Sequence, residues 1–215
     1  MCKTRKTVTN FQPLPAIDKM TPTEFKNNWT KDNDSLFSFS EDKCKGLNLK
    51  QETIDFLTKA GLPDNVAPYL SFVKDTTDLY DGINRLTIQY NFLDKEYDKF
   101  IAIGSDGSGN PIAINTKLND RIEWLDHDNY FSASYMNNSI YELANILLIY
   151  RDFVTQIQIE NGEDALLDSN FTDIQFENLK QKIFSVDNKA LIENGFWKNE
   201  LDLLLTNRQY FIENQ

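Results

Sequence analysis

The sequence predicts an α+β fold, and three observations carry that reading. Short apolar runs at 99–104, 110–115 and 120–125 are separated by turn chemistry and read as an antiparallel meander. A long run with apolar residues at alternating spacings of three and four follows at about 140–157, too apolar for a surface helix and suited to lie on a sheet. Two further helical patterns close the chain.

In order, the first 19 residues lack periodicity and read as a tail. A short helix starts at Thr21, where Pro22 suits the first helical position and Glu24 completes a T-x-x-E capping box. Phe25 and Trp29 then share a face. Residues 33–45 read as loop, with 36–39 as a possible edge strand. A helix at about 50–60 presents Ile54, Leu57 and Ala60. Gly61 is placed to take its left-handed cap, with Leu62 folding back and Pro63 preventing continuation. After Pro68 the run 69–73 reads as a short strand, while 83–92 fits both strand and helix periods. The meander follows, its turns built on Ser105-Asp106-Gly107-Ser108-Gly109 and Thr116-Lys117-Leu118-Asn119, with 131–136 as a fourth strand. Ser139 and Glu142 open the long helix, and Asn161-Gly162 ends it. Thr172 and Gln175 form another capping box, flanked by a Phe171–Phe176 staple. A last helix spans about 197–206.

Composition narrows function. The chain has 215 residues, 22 Lys+Arg against 33 Asp+Glu and a formal net charge of −11, a poor balance for gripping nucleic acid or an anionic membrane. The excess is not uniform. Residues 1–73 carry net +1, 74–128 net −5, 129–159 net −1 and 160–215 net −6. Solubility explains such a charge, and so does an acidic face for a basic partner. Two cysteines, Cys2 and Cys44, cannot build a disulfide framework or a four-cysteine zinc site, and free thiols fit a reducing compartment. Lys3, Arg5 and Lys6 look like the start of a signal peptide, but no apolar core follows. The best apolar run, 143–150, is far short of a membrane span. The expectation is a soluble, cytoplasmic protein.

Motifs for catalysis are sparse. With one histidine, His127, in Asp126-His127-Asp128, every two-imidazole mechanism is excluded, and nothing resembles a G-x-S-x-G nucleophile elbow. The Gly-rich stretch 104–110 leads into another strand rather than a helix and has neither phosphate-loop nor calcium-loop order, so it reads as a hairpin turn. Asp94, Glu96 and Asp98, interleaved with Lys95 and Lys99, read as a solvated face that could serve as a contact surface.

The stretch Phe100-Ile101-Ala102-Ile103-Gly104-Ser105-Asp106-Gly107-Ser108-Gly109-Asn110-Pro111-Ile112-Ala113-Ile114 resembles the core signature of the SUKH superfamily, which includes the yeast Smi/Knr-type regulator domain. Phe56-Leu57 with Gly61-Leu62-Pro63 resembles that family's helix-then-GLP entry. The run from Arg121 to His127, and Phe131 to Tyr135 followed by Asn138-Ser139, resemble its close. The resemblance covers roughly residues 45–155. It implies a curved, mostly antiparallel sheet packed against helices, here with a helical C-terminal extension. The chain is then expected to divide into a tail and short helix at 1–40, the SUKH-like domain at 41–160 and a helical extension packed on it at 161–215. It implies no catalysis and no cofactor. Bacterial members imply an immunity protein that neutralises a cognate nuclease- or deaminase-type toxin, whereas eukaryotic relatives imply a regulatory scaffold in cell-wall synthesis or signalling. An acidic protein suits a basic toxin cleft. The candidate contact set is therefore Asp94, Glu96, Asp98, Asp106, Glu123, Asp126 and Asp128, with no metal, nucleic-acid or membrane partner expected.

Overall fold

The computed structural model describes residues 20–31 and 34–213. Cys2, the basic start and the tail read up to residue 19 lie outside the described residues. In chain order the elements are α1 (Pro22–Thr30), β1 (Leu36–Phe37), α2 (Glu41–Lys45), α3 (Gln51–Lys59), β2 (Leu62–Pro63), β3 (Asn65–Val66), β4 (Leu70–Phe72) and β5 (Asn84–Arg85). Then come α4 (Leu86–Gln89), β6 (Phe100–Ser105), β7 (Pro111–Asn115), β8 (Arg121–Asp126), β9 (Ser132–Asn137), α5 (Ile140–Asn161), α6 (Asp173–Val186) and α7 (Phe196–Glu213). Short 3₁₀ segments at Lys95–Lys99 and His127–Asn129 precede β6 and follow β8.

Seven strands join in one open, largely antiparallel sheet in the order β3-β4-β6-β7-β8-β9, with β5 also paired to β6. The α+β class, the meander and the C-terminal helices are as the sequence predicts. Register shifts between Ala102 and Gly104 and between Ile122 and Glu123 mark bulges, the devices that bend a strand and curve a sheet.

Because side chains alternate along a strand, β6 and β7 sort their residues onto two faces. Ile101, Ile103, Ile112 and Ile114 enter a large core with Phe25, Phe56, Leu57, Leu147 and Trp197. Phe100, Ala102 and Ala113 enter a separate small cluster with Leu86, Leu125 and Phe131. Both strands are therefore buried on both sides, which explains their near-continuous apolar runs.

Local sequence sets the starts of α1, α5 and α6. Thr21–Glu24 and Thr172–Gln175 form full capping boxes, and the Ser139 hydroxyl accepts from Tyr141 N at the start of α5. The Phe171 and Phe176 rings stack at 5.8 Å. Gly61 takes φ +84°, and a Cβ there would sit 2.2 Å from the Phe37 carbonyl oxygen, so only glycine fits this approach. α3 is different. Lys50 offers no side-chain cap, and its N–H donates instead to Asp120 Oδ2 at 2.7 Å. Asp120 and Asn119 both lie in the left-handed region and turn β7 into β8.

A buried carboxylate ties the C-terminal helices to the sheet edge. Asp187, at the end of α6, accepts from the Tyr135 hydroxyl (2.8 Å), the Asn138 N–H (3.1 Å) and the Asn137 amide (3.3 Å). Trp197 Nε1 donates to Asn137 Oδ1 at 2.9 Å. Burial and the Asp187 contact push the Tyr135 phenol well above its usual range.

Some expectations shift in detail. The 33–45 segment contains α2, and β1 pairs with β2 in a separate two-stranded sheet. The ambiguous 83–92 stretch holds both β5 and α4. α7 runs on to Glu213, beyond the reading of 197–206.

Candidate functional site

The small cluster on the second face of the sheet supports a surface made of acids and aromatic rings. The chain leaves α4, passes through the 3₁₀ segment at Lys95–Lys99 and folds back over Phe100. From the other side the turn after β8 brings in Phe131. Tyr97 joins the two, since its hydroxyl donates to the Tyr130 carbonyl at 2.9 Å and its ring meets that of Phe131 at 6.3 Å.

This junction places five of the seven candidate acids on two adjoining loops. Asp94 and Glu96 are exposed on the first. Asp98 is half-buried there and accepts from the Thr87 hydroxyl, while its carbonyl accepts from Arg85 Nη1 at 3.0 Å, so it also anchors the loop. On the second loop Asp126 accepts from Asp128 N at 3.1 Å, and the Asp128 carboxylate is exposed. Lys95 and Lys99 only partly offset these five carboxylates, and the Lys99 ammonium lies over the Phe100 ring at 5.0 Å.

The other two acids are engaged within the fold, and for Glu123 burial corrects its reading as a contact group. Glu123 is 2 % exposed and accepts from Arg121 Nη2 and, at 2.6 Å, from Asn115 Nδ2. Its charge is spent inside the sheet because the period of its own strand sets it beside Arg121 and the register with β7 sets it beside Asn115. Asp106 organises the Gly-rich hairpin. It accepts from Ser108 N, Asn110 N and Asn110 Nδ2, each at 2.9 Å, and from Trp124 Nε1 at 2.8 Å. Burial raises its carboxyl pKa, but these hydrogen bonds outweigh burial and hold it below the usual carboxylate value. His127 belongs to the same network. Asn110 Nδ2 is committed to Asp106, so Asn110 Oδ1 must accept, and His127 Nδ1, 2.7 Å away, carries the proton. The lone imidazole thus buttresses a turn, and its Nε2 lies 3.4 Å from Asp128 Oδ1. Among the described residues no group of three or more His, Cys, Asp or Glu is placed to hold a metal ion.

Residue-type reasoning missed the aromatic half of the surface. Phe92 is 74 % and Tyr130 87 % exposed, and they flank the buried Phe131. Phe92 and Tyr90 meet the Phe131 ring at 6.2 Å and 4.8 Å. The sequence reading put Phe131 at the start of a strand. Instead Tyr130 and Phe131 both take φ +53°, and the strand begins at Ser132. Two consecutive aromatic residues in the left-handed region cost roughly 1–2 kcal/mol each. For Phe131 burial offsets that cost. For Tyr130, whose ring is exposed, the return within the chain is the hydrogen bond that its carbonyl accepts from the Tyr97 hydroxyl. The available signal was the pair Tyr130-Phe131 directly after an acid-rich strand end.

No helix among the described residues is long and apolar enough to cross a membrane. No curated protein and no solved structure matches the chain. A family model does, that of the SUKH-4 immunity protein, over residues 26–204.

Proposed function

The chain belongs to the SUKH-4 immunity protein family, within the SUKH superfamily, and from that premise we propose that it blocks a basic, nuclease- or deaminase-type bacterial toxin by docking its acidic–aromatic surface on the toxin's cationic cleft. Proteins of this family are generally non-catalytic, and neutralisation by occupation asks for a surface rather than a reaction. The observation that carries the reading is Tyr130, an exposed ring in the left-handed region that follows Asp126 and Asp128 in one loop, a loop tied through Tyr97 to the segment of Asp94 and Glu96. Aromatic anchors supply most of the affinity at protein interfaces. Flanking carboxylates steer association and reject like-charged partners. On this reading residues 41–160 carry the contact surface, the helices of 161–215 support it from the far side of the sheet, and neutralisation takes place in the cytoplasm. The buried thiol of Cys44 fits such a compartment, since burial first and Asp75 second push it up to about 11 and keep it unreactive.

The test is co-expression with the product of the neighbouring toxin gene. The native chain should bind it and rescue growth, and Tyr130→Ala should weaken binding by about 2 kcal/mol, as interface anchors do. Rescue without binding, or binding indifferent to Tyr130, would overturn the surface assignment. Recovery of cell-wall or signalling proteins in place of a toxin would favour the scaffold role instead.

A further inference from the structure

Beside the acidic–aromatic surface lies a groove of about 430 Å³ between β4, the start of β7 and the segment around residues 80–90. That volume falls in the range of ligand-binding clefts. Two tyrosines line it, Tyr80 and the half-buried Tyr90, together with Asp81, Gln89, Asp64 and Lys74.

The polar groups of the groove leave an unbalanced negative charge. Lys74 and Asp64 neutralise each other at 2.7 Å. The Asp81 carboxylate is exposed and has no ion pair among the described residues. Gln89 donates its Nε2 to the Tyr80 carbonyl at 3.3 Å, which leaves its Oε1 as an acceptor. The rim is held in place, because Asp78 Oδ1 accepts from Tyr80 N at 2.7 Å and from Asp81 N at 3.0 Å. Those backbone hydrogen bonds hold the Asp78 carboxyl below its usual value, so the turn stays pinned in neutral solution.

Planar aromatic faces, a lone carboxylate and a carbonyl acceptor form the chemistry that recognises a guanidinium, which stacks on rings and donates in a fixed fork. Tyr90 also links the groove to the docking surface, since its ring meets Phe131 at 4.8 Å and Phe92 at 6.1 Å. We infer that this groove receives an arginine side chain of the toxin, adjacent to the ring that Tyr130 presents. The inference rests on the docking reading above and adds to it a specificity pocket on the same face.

The probe is Nα-acetyl-arginine amide, titrated into the full chain and followed by NMR at the Gln89 side-chain amide and the Tyr80 and Ser105 backbone amides. Saturable shifts are expected with the arginine amide, weaker ones with the lysine amide and none with the leucine amide. Asp81→Asn and Tyr80→Ala should each weaken binding about fivefold or more, the scale of a lost charge or cation–π contact, with the melting temperature unchanged. A linear, non-saturating response, or one equal for the leucine amide, overturns the pocket. With the neighbouring-gene toxin the two ideas separate. If Asp126 and Asp128 variants weaken capture while Asp81→Asn and Tyr80→Ala do not, the pocket alone is wrong. If capture ignores all four, the docking reading is wrong.

Discussion

The two faces of the sheet are made by the same strands and covered in different ways. On one, Ile101, Ile103, Ile112 and Ile114 lie in a continuous core shared with six helices, α1, α2, α3, α5, α6 and α7. On the other, the six buried side chains of the small cluster are roofed by α4, a 3₁₀ segment and a turn, and Phe92 and Tyr130 stand in solvent beside them. Elsewhere exposed apolar residues such as Ile159, Ile174 and Ile212 sit singly along helices, which is ordinary for a protein surface. The contrast separates two tasks. The first face spends its aromatic residues on cohesion. The second displays more ring surface than its cluster can use, and surrounds it with carboxylates.

Breaking the first face should cost the most. Trp197 is fully buried, packs on Tyr150 at 5.9 Å and Phe196 at 5.1 Å, and donates to Asn137. Trp197→Ala should lose about 4 kcal/mol in denaturant melts, with toxin affinity of the folded fraction unchanged. A cost under about 1 kcal/mol would remove the distinction between the faces.

Next comes Glu200 on α7. Burial first, and the Asp106 carboxylate second, push its carboxyl from an ordinary 4.5 to about 7. A raised carboxyl pKa favours the fold in its protonated form. That contribution is fully present below about pH 4.5 and is lost as pH rises through about 7. Glu200→Gln should match the native chain at the acid end and exceed it by up to roughly 3 kcal/mol at about pH 8. Parallel stability–pH curves for the two proteins would refute this.

The acids of the second face should act on association only. Asp126→Asn with Asp128→Asn should slow toxin association about tenfold at low salt and flatten its salt dependence, with no change in melting temperature. Loss of stability would return these residues to the structural class of Glu123.

Tyr130→Gly gives the smallest and sharpest contrast. Glycine takes the left-handed conformation freely, so stability should rise by about 1 kcal/mol while toxin affinity falls. A variant that loses stability would show that the ring already serves the fold.

What the sequence revealed was local. The capping boxes at Thr21 and Thr172 act through neighbours three residues away, so their meaning survives in a linear reading, whereas Gly61 was legible as a helix cap but not as the point where the backbone meets Phe37. The meander was visible because alternation and turn residues lie side by side. The site was half visible. Acid at 94, 96, 126 and 128 is residue chemistry, but the contact between the two loops runs through Tyr97 and Tyr130, 33 residues apart. Glu123 looked like a surface charge because its cross-strand partner Asn115 declares itself only once the strand register is known. The left-handed backbone at Tyr130 has no local signal, since both aromatic residues prefer extended conformations.

The contact between Asp120 and Lys50 bears on the order in which the chain assembles. A helix of nine residues does not sustain itself in water, and α3 has no cap of its own. Its first turn closes on a carboxylate that arrives only when the β7–β8 turn has formed, 70 residues downstream. Nucleation of this helix is therefore a long-range event, and the entropy of closing that loop falls on the folding barrier. In Asp120→Ala the amides of the first turn of α3 should exchange with solvent ahead of those in α5, even where the overall fold persists.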